Sequence, residues 1–258
     1  MKYIGIFQGG GVKAIAHVGA IKALEERGFF CVKAAGTSAG AIIASLLIAG
    51  YGADELIEFF QTLNISSLKE KGKMSKMIKE FGIYSSSPLE NYLENLLRKK
   101  GITTYLDVKE GRDYILKVIA TDIIKRKQVI MPNDLINYNL NPDSFPIAKS
   151  VVMSATYPLF YKPFKLGKSL IMDGCIANNF PLDVFGYKTK EPIIGFNLIT
   201  SNKDIPNIYH PYIIRIPIKK VYSMNFNIDD NTKQELFNAG YIAGRRFINN
   251  YFERESKE

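Results

Sequence analysis

The segment Gly36-Thr37-Ser38-Ala39-Gly40 sets a serine hydroxyl between two glycines at G-x-S-x-G spacing. Small residues around such a serine permit a sharp strand-to-helix turn that leaves the hydroxyl exposed. The flanks suit that turn. Phe29, Phe30, Val32, Ala34 and Ala35 form an apolar run before it, and residues 39–49 (AGAIIASLLIA) read as a buried helix after it. The start of that helix would direct free N–H groups and a positive dipole end at the serine, favouring negative charge that develops there. A serine hydroxyl becomes a useful nucleophile only when a neighbour takes its proton.

A second glycine motif lies upstream. Residues 2–7 (KYIGIF) read as a strand, followed by Gly9-Gly10-Gly11-Val12-Lys13 and a helical stretch over 14–24. Successive glycines let backbone N–H groups approach a ligand closely. One reading is a dinucleotide fingerprint through Gly9, Gly11 and Ala14. Another is an oxyanion hole serving a nearby serine. A third is a tight turn without chemistry. The dinucleotide reading needs an acidic residue about 20 positions on, where this chain runs FFCVKAAGTSAG. A third motif, Asp173-Gly174-Cys175, ends the apolar run Leu170-Ile171-Met172. Asp-Gly is a common turn former, and here it also offers a carboxylate base.

With these three motifs in this order, the chain resembles the patatin-like phospholipase family over nearly its whole length. The glycine loop, the serine elbow Gly36–Gly40 and Asp173-Gly174-Cys175 carry the resemblance, together with Asn178-Asn179-Phe180-Pro181. Weaker echoes are residues 154–160 (SATYPLF) and 194–198 (IGFNL). The resemblance implies a serine–aspartate dyad without histidine, in which Ser38 is the nucleophile and Asp173 the base. It also implies that backbone N–H groups of the loop Gly9, Gly10, Gly11, Val12 and Lys13 hold the oxyanion, those around Gly10, Gly11 and Val12 foremost. The chain departs from the family pattern at Gln8, where many members have Asp, and at Lys13, Ala14 and Cys175. None of these changes removes a reacting group.

Histidine offers an alternative. The chain has two, His17 and His210. The order Ser38, Asp173, His210 matches that of α/β-hydrolases, so a Ser-His-Asp esterase is the second mechanism. Against it, only one or two strands precede Ser38. His17 lies within the first helix and reads as a packed, hydrogen-bonded residue.

The elements that must position these groups alternate. Strands are expected over 3–7, 30–35, 114–122, 127–131, 169–172, 192–198 and 212–217. Ser87-Pro88-Leu89-Glu90 is a capping box with proline at the first helical position. The helix it opens carries Leu89, Tyr92, Leu93, Leu96 and Leu97 on one face. Thr232-Lys233-Gln234-Glu235 is read as opening a last helix with the stripe Leu236, Tyr241, Ala243, Phe247, Ile248 and Tyr251. The expected fold is a three-layer α/β/α sandwich, with a mixed, mostly parallel central sheet and helices on both faces.

Composition fits that fold. At 258 residues and 47% hydrophobic content, one domain over 1–258 with a full core is expected. The longest apolar run is too short to span a bilayer, and the N-terminus lacks the apolar core of a signal peptide. Cys31 and Cys175 form no metal-ligand spacing; they read as reduced packing residues that could lie close in space. No metal and no cofactor is expected, and the location is expected to be cytoplasmic or peripheral to a membrane. The net charge is +9. Lys69, Lys71, Lys73, Lys76 and Lys79 interleave with Met74, Met77, Ile78 and Phe81. That pattern suits either a solvated surface helix or a basic flap over 65–87 that meets anionic lipid headgroups. No nucleic-acid-binding module is recognisable. The function expected is a phospholipase A-type lipid acyl hydrolase acting through an acyl-serine intermediate. The alternative from another class is a non-catalytic protein that binds lipid or nucleotide on the same fold.

Overall fold

The first strand, β1 (Lys2–Phe7), is buried from its second residue onward. A strand this apolar belongs in the middle of a parallel sheet, where both faces are covered. The computed structural model describes residues 1–62, 87–157, 162–186, 188–201, 212–218 and 228–255. In it, β1 pairs in parallel with β2 (Phe30–Thr37) on one side and β9 (Ile193–Ile199) on the other. β10 (Ile213–Pro217) extends the sheet beyond β9, and β2 pairs in parallel with β5 (Leu116–Asp122). The basic segment 65–87 lies outside the described residues apart from its last position.

Past β5 the sheet turns antiparallel. β6 (Lys127–Met131) returns along β5 through a hairpin whose turn contains Arg126 at φ 53°. β7 (Phe164–Leu166) and β8 (Ser169–Asp173) form a second antiparallel pair, and β8 also pairs with β5. One edge of β5 carries β6 along Val118–Asp122. β8 must therefore use the opposite edge, the edge that β2 uses. The two divide it: Thr37 of β2 faces Ile119, while Asp173 of β8 faces Ala120. Two strands from distant parts of the chain thus run toward each other along one edge and end C-terminus to C-terminus.

Tyr3, Phe7, Ala34, Val118, Phe196 and Ile214 point to the main core, which the helices fill. These are α1 (Ile15–Glu25), α2 (Ala39–Ile48), α3 (Ala53–Thr62), α4 (Ser87–Lys99), α5 (Ile147–Ser154) and α6 (Asp230–Glu255). The fold is the expected α/β one, a mixed and mostly parallel sheet flanked by helices, although the described helices pack on this face rather than on both. Ile4, Ile6, Ala35, Ile193 and Ile213 face the other way. Leu182, with Phe180, Val184 and Phe185, covers them from the β8–β9 connection.

Local signals explain most boundaries. α4 opens at the Ser-Pro-Leu-Glu box, and its Leu93 and Leu97 are buried as the stripe requires. α6 begins two residues before Thr232, because Asp229 Oδ1 accepts the Thr232 N–H at 2.7 Å and acts as the cap. The expected strand 114–122 is interrupted: β4 (Asp113–Tyr114) pairs with β3 (Lys109–Glu110) before β5 begins. Pieces of two or three residues, β7 included, are too short to show alternation.

α1 and α6 cross at contact between small residues. A Cβ on Gly19 would lie 1.9 Å from the Phe237 carbonyl oxygen, and one on Gly240 would lie 1.7 Å from that of Ala16. Both obstacles are backbone, so a side chain must force the helices apart. Gly240→Ala should lower stability by about 2 kcal/mol, seen as a lower denaturant midpoint with an unchanged slope.

Candidate active site

Ser38 closes the turn between β2 and α2, at φ 55° and ψ −124°. A left-handed serine of this kind costs about 1–3 kcal/mol and survives only where its surroundings fix it. Those surroundings are visible. A Cβ on Gly36 would lie 2.3 Å from Gly40 backbone atoms, and one on Gly40 would lie 2.3 Å from the Phe7 carbonyl oxygen. Only glycine at both positions lets α2 fold back over its own strand and against the end of β1. The Ser38 N–H donates to Ser154 Oγ at 2.8 Å, and Ser154 Oγ donates in turn to the Ile119 carbonyl. Ser154 is the last residue of α5 and is fully buried. It ties the elbow to the middle of β5.

Ser38 Oγ donates to Asp173 Oδ2 at 2.8 Å. The other carboxylate oxygen accepts the Cys175 N–H at 2.9 Å. The Asp173 N–H donates to the Thr156 carbonyl, and its own carbonyl accepts from Thr121 Oγ1. Asp173 is 1% exposed. Burial raises its pKa above the ordinary aspartate value, and the bonds from Cys175 and Ser38 offset part of that rise. Burial also pushes the Cys175 thiol up to about 12, with the Asp173 charge adding to the effect. Cys175 is therefore a neutral thiol at neutral pH.

The glycine loop reaches the serine at Gly9, whose Cβ position would be 3.4 Å from Ser38 Cβ. The loop runs into a 3-10 turn, Gly11–Ala14, that packs on α2. The Gly9 N–H donates to the Asn179 carbonyl and the Lys13 N–H to the Gly10 carbonyl. Both belong to the expected oxyanion donors, and both are spent within the fold. No described acceptor takes the N–H groups of Gly10, Gly11 and Val12. Gln8, where the family pattern favours Asp, accepts from the Leu198 N–H at 2.6 Å and from Asn197 Nδ2 at 2.8 Å, and so joins β1 to β9.

The three motifs converge, and the structure adds residues that carry no role in the sequence reading. Thr37 Oγ1 donates to the Asn178 carbonyl, Asn179 grips Gly9, and Ser154 holds Ser38. Each of these sits in a stretch that carries the family resemblance, but an isolated Ser or Asn has no local signature. The cysteines do not meet. Cys31 is the second residue of β2, six residues and roughly 20 Å of strand below Thr37, whereas Cys175 stands beside Asp173. His17 is fully buried, its Nε2 2.9 Å from the Gln8 carbonyl oxygen and its ring against Phe7 and Phe196. Burial lowers its pKa to about 4. His210 lies outside the described residues.

A hydroxyl bonded directly to a buried carboxylate, next to a loop with three N–H groups that meet no acceptor among the described residues, is chemically equipped for acyl transfer. The sequence profile of the patatin-like phospholipase family matches residues 5–185, a span that holds the glycine loop, Ser38 and Asp173. The chain belongs to the patatin-like phospholipase family. It is 32% identical to the uncharacterized protein YqhO of Bacillus subtilis, across 95% of this chain and 97% of that protein. It is 29% identical to the probable lipid hydrolase 463L of Invertebrate iridescent virus 6, across 69% of this chain and 61% of the viral protein. VipD of Legionella pneumophila has the same fold, with a TM-score of 0.66, 15% identity, and coverage of 96% of this chain and 67% of VipD. This patatin-like chain thus shares a lipid acyl hydrolase framework. No helix among its described residues is long and apolar enough to cross a membrane.

Ser154→Ala removes the acceptor of a strained residue's N–H. An unpaired N–H there should cost about 1–3 kcal/mol and let the elbow relax. Ester hydrolysis should fall by about ten- to a hundredfold, read from kcat/KM, while Ser154→Thr should retain the bond and most of the rate.

Proposed function

We propose that this patatin-like chain is a serine lipid acyl hydrolase of phospholipase A type, working through Ser38 and Asp173 alone. The observation that carries the reading is the direct 2.8 Å bond from Ser38 Oγ to Asp173 Oδ2. At that distance no imidazole fits between hydroxyl and carboxylate, which argues against a triad through His210.

Ser38 Oγ attacks the ester carbonyl carbon while Asp173 Oδ2 takes the hydroxyl proton. The carbonyl oxygen becomes an oxyanion held by the N–H groups of Gly10, Gly11 and Val12. At about 3–4 kcal/mol per good donor, such contacts can supply much of the rate. The C–O bond to the leaving alcohol then breaks, and Asp173 returns its proton to the departing oxygen. Water next attacks the acyl-Ser38 carbonyl, Asp173 accepts a water proton, and collapse frees the fatty acid while Asp173 returns that proton to Ser38 Oγ. Another alcohol in place of water gives transacylation.

Burial suits Asp173 to this work. An ordinary aspartate is a weak base, and a raised pKa narrows the gap to the hydroxyl it must deprotonate. The family and the name of the viral relative support acyl lipids as the substrate class.

Ser38→Ala should lower fatty-acid release from phosphatidylglycerol vesicles by about three orders of magnitude or more. Release within about tenfold of wild type would exclude Ser38 as the nucleophile. The pH profile tests Asp173. The rate needs the unprotonated carboxylate, so kcat/KM should fall on the acid side with a midpoint above the ordinary value of 3.8. Stability runs the opposite way. A raised pKa stabilises the fold most below the unfolded aspartate value, and that contribution is lost as pH rises through the folded value. Asp173→Asn should therefore abolish turnover yet gain Tm over wild type as pH rises through that range.

A further inference from the structure

Two consecutive asparagines follow Asp173, and each reaches one of the other two segments. The Asn178 carbonyl accepts from Thr37 Oγ1 at 2.9 Å, next to Ser38. The Asn179 carbonyl accepts the Gly9 N–H at 3.0 Å, while Asn179 Nδ2 donates to the Gly9 carbonyl at 3.3 Å. A single residue, 170 positions away in sequence, thus holds Gly9 by both its polar groups.

Peptide planarity carries that grip one residue further. The Gly9 carbonyl and the Gly10 N–H share one trans peptide plane and point in opposite directions. Fixing the carbonyl on Asn179 fixes the direction of the Gly10 N–H, which no described acceptor takes. Three glycines in a row give this stretch little intrinsic preference, so the anchor has to come from elsewhere. Gly9 also has to remain bare. A Cβ there would lie 2.3 Å from Asn179 Oδ1 and would displace the amide. Asn179 Oδ1 is buried without a described partner, so the amide is oriented through Nδ2 alone.

We propose that Asn179 is a positioning residue that aims the Gly10 N–H at the oxyanion, an inference that rests on the Ser38–Asp173 reading above. Asn179 touches no reacting atom. It acts through the Gly9–Gly10 peptide, and its effect belongs to the transition state, where the oxyanion exists, rather than to substrate binding.

Asn179→Asp tests this. The substitution keeps side-chain shape and the backbone bond to Gly9, but sets an acceptor against the Gly9 carbonyl. With p-nitrophenyl butyrate, kcat should fall by about 10²–10³-fold, the cost of one oxyanion donor, while KM stays within about twofold. Inhibition by an alkyl trifluoromethyl ketone, whose adduct carries an oxyanion in the same place, should weaken in proportion to kcat/KM. Ser38→Ala runs in parallel. If it retains activity, the underlying dyad reading fails. If Ser38→Ala is inactive while Asn179→Asp keeps kcat within about threefold of wild type, only the role of Asn179 is overturned. Should Asn179→Asp not fold, Asn179→Ala carries the same comparison. Failure of both to fold would overturn the proposal, because the residue would then be structural.

Discussion

The site depends on how the edge of β5 is shared. β2 holds the first half of that edge and β8 the second, and Ile119 and Ala120 mark the boundary between them. Because the two strands run in opposite directions, both end at that boundary. A serine just past one end and an aspartate at the other must meet there. Hydrogen-bond register fixes the meeting to within a residue, since a slip of one would turn either side chain to the other face. The 2.8 Å contact between Ser38 and Asp173 follows from main-chain pairing more than from attraction between the two side chains.

That arrangement is costly and is held by what surrounds it. Ser38 sits in an unfavourable backbone region, and Asp173 carries a carboxylate that is almost fully buried. The core behind them is large and apolar. Fully buried side chains such as Phe7, Ile43, Leu46 and Phe196 each stabilise the fold by about 1.5–3 kcal/mol. Polar ties then convert that bulk stability into local precision. Ser154 fixes the elbow, Thr121 and Cys175 fix the aspartate, and Asn178 and Asn179 join the aspartate turn to the elbow and to the glycine loop. Stability and function pull apart most clearly at Asp173, whose burial weakens the fold at neutral pH while making the carboxylate a better base.

How much of this the sequence discloses depends on the kind of constraint. Close backbone approach leaves a glycine, so the elbow and the loop are readable from Gly36, Gly40 and Gly9 to Gly11. Long buried elements show as apolar runs or stripes, so β1, β2, α2 and the stripe of α4 are readable as well. Ser154 is different. Its partner is 116 residues away, and a serine at a helix end looks like any other until the chain is folded. The same holds for Asn179, and for the spent N–H groups of Gly9 and Lys13, which local pattern groups with their neighbours. The distance between Cys31 and Cys175 fails for a related reason. Adjacency to a motif gives no information about which end of the strand a residue occupies.

The central claim is that Ser38 is activated by Asp173 without a histidine. Intact-mass analysis after treatment with a fluorophosphonate probe tests it most directly, using wild type, Ser38→Ala, Asp173→Asn and His210→Ala. The account predicts one covalent adduct on wild type and on His210→Ala, and none on Ser38→Ala or Asp173→Asn. Loss of the adduct in His210→Ala, or its survival in Asp173→Asn at the wild-type rate, would contradict it.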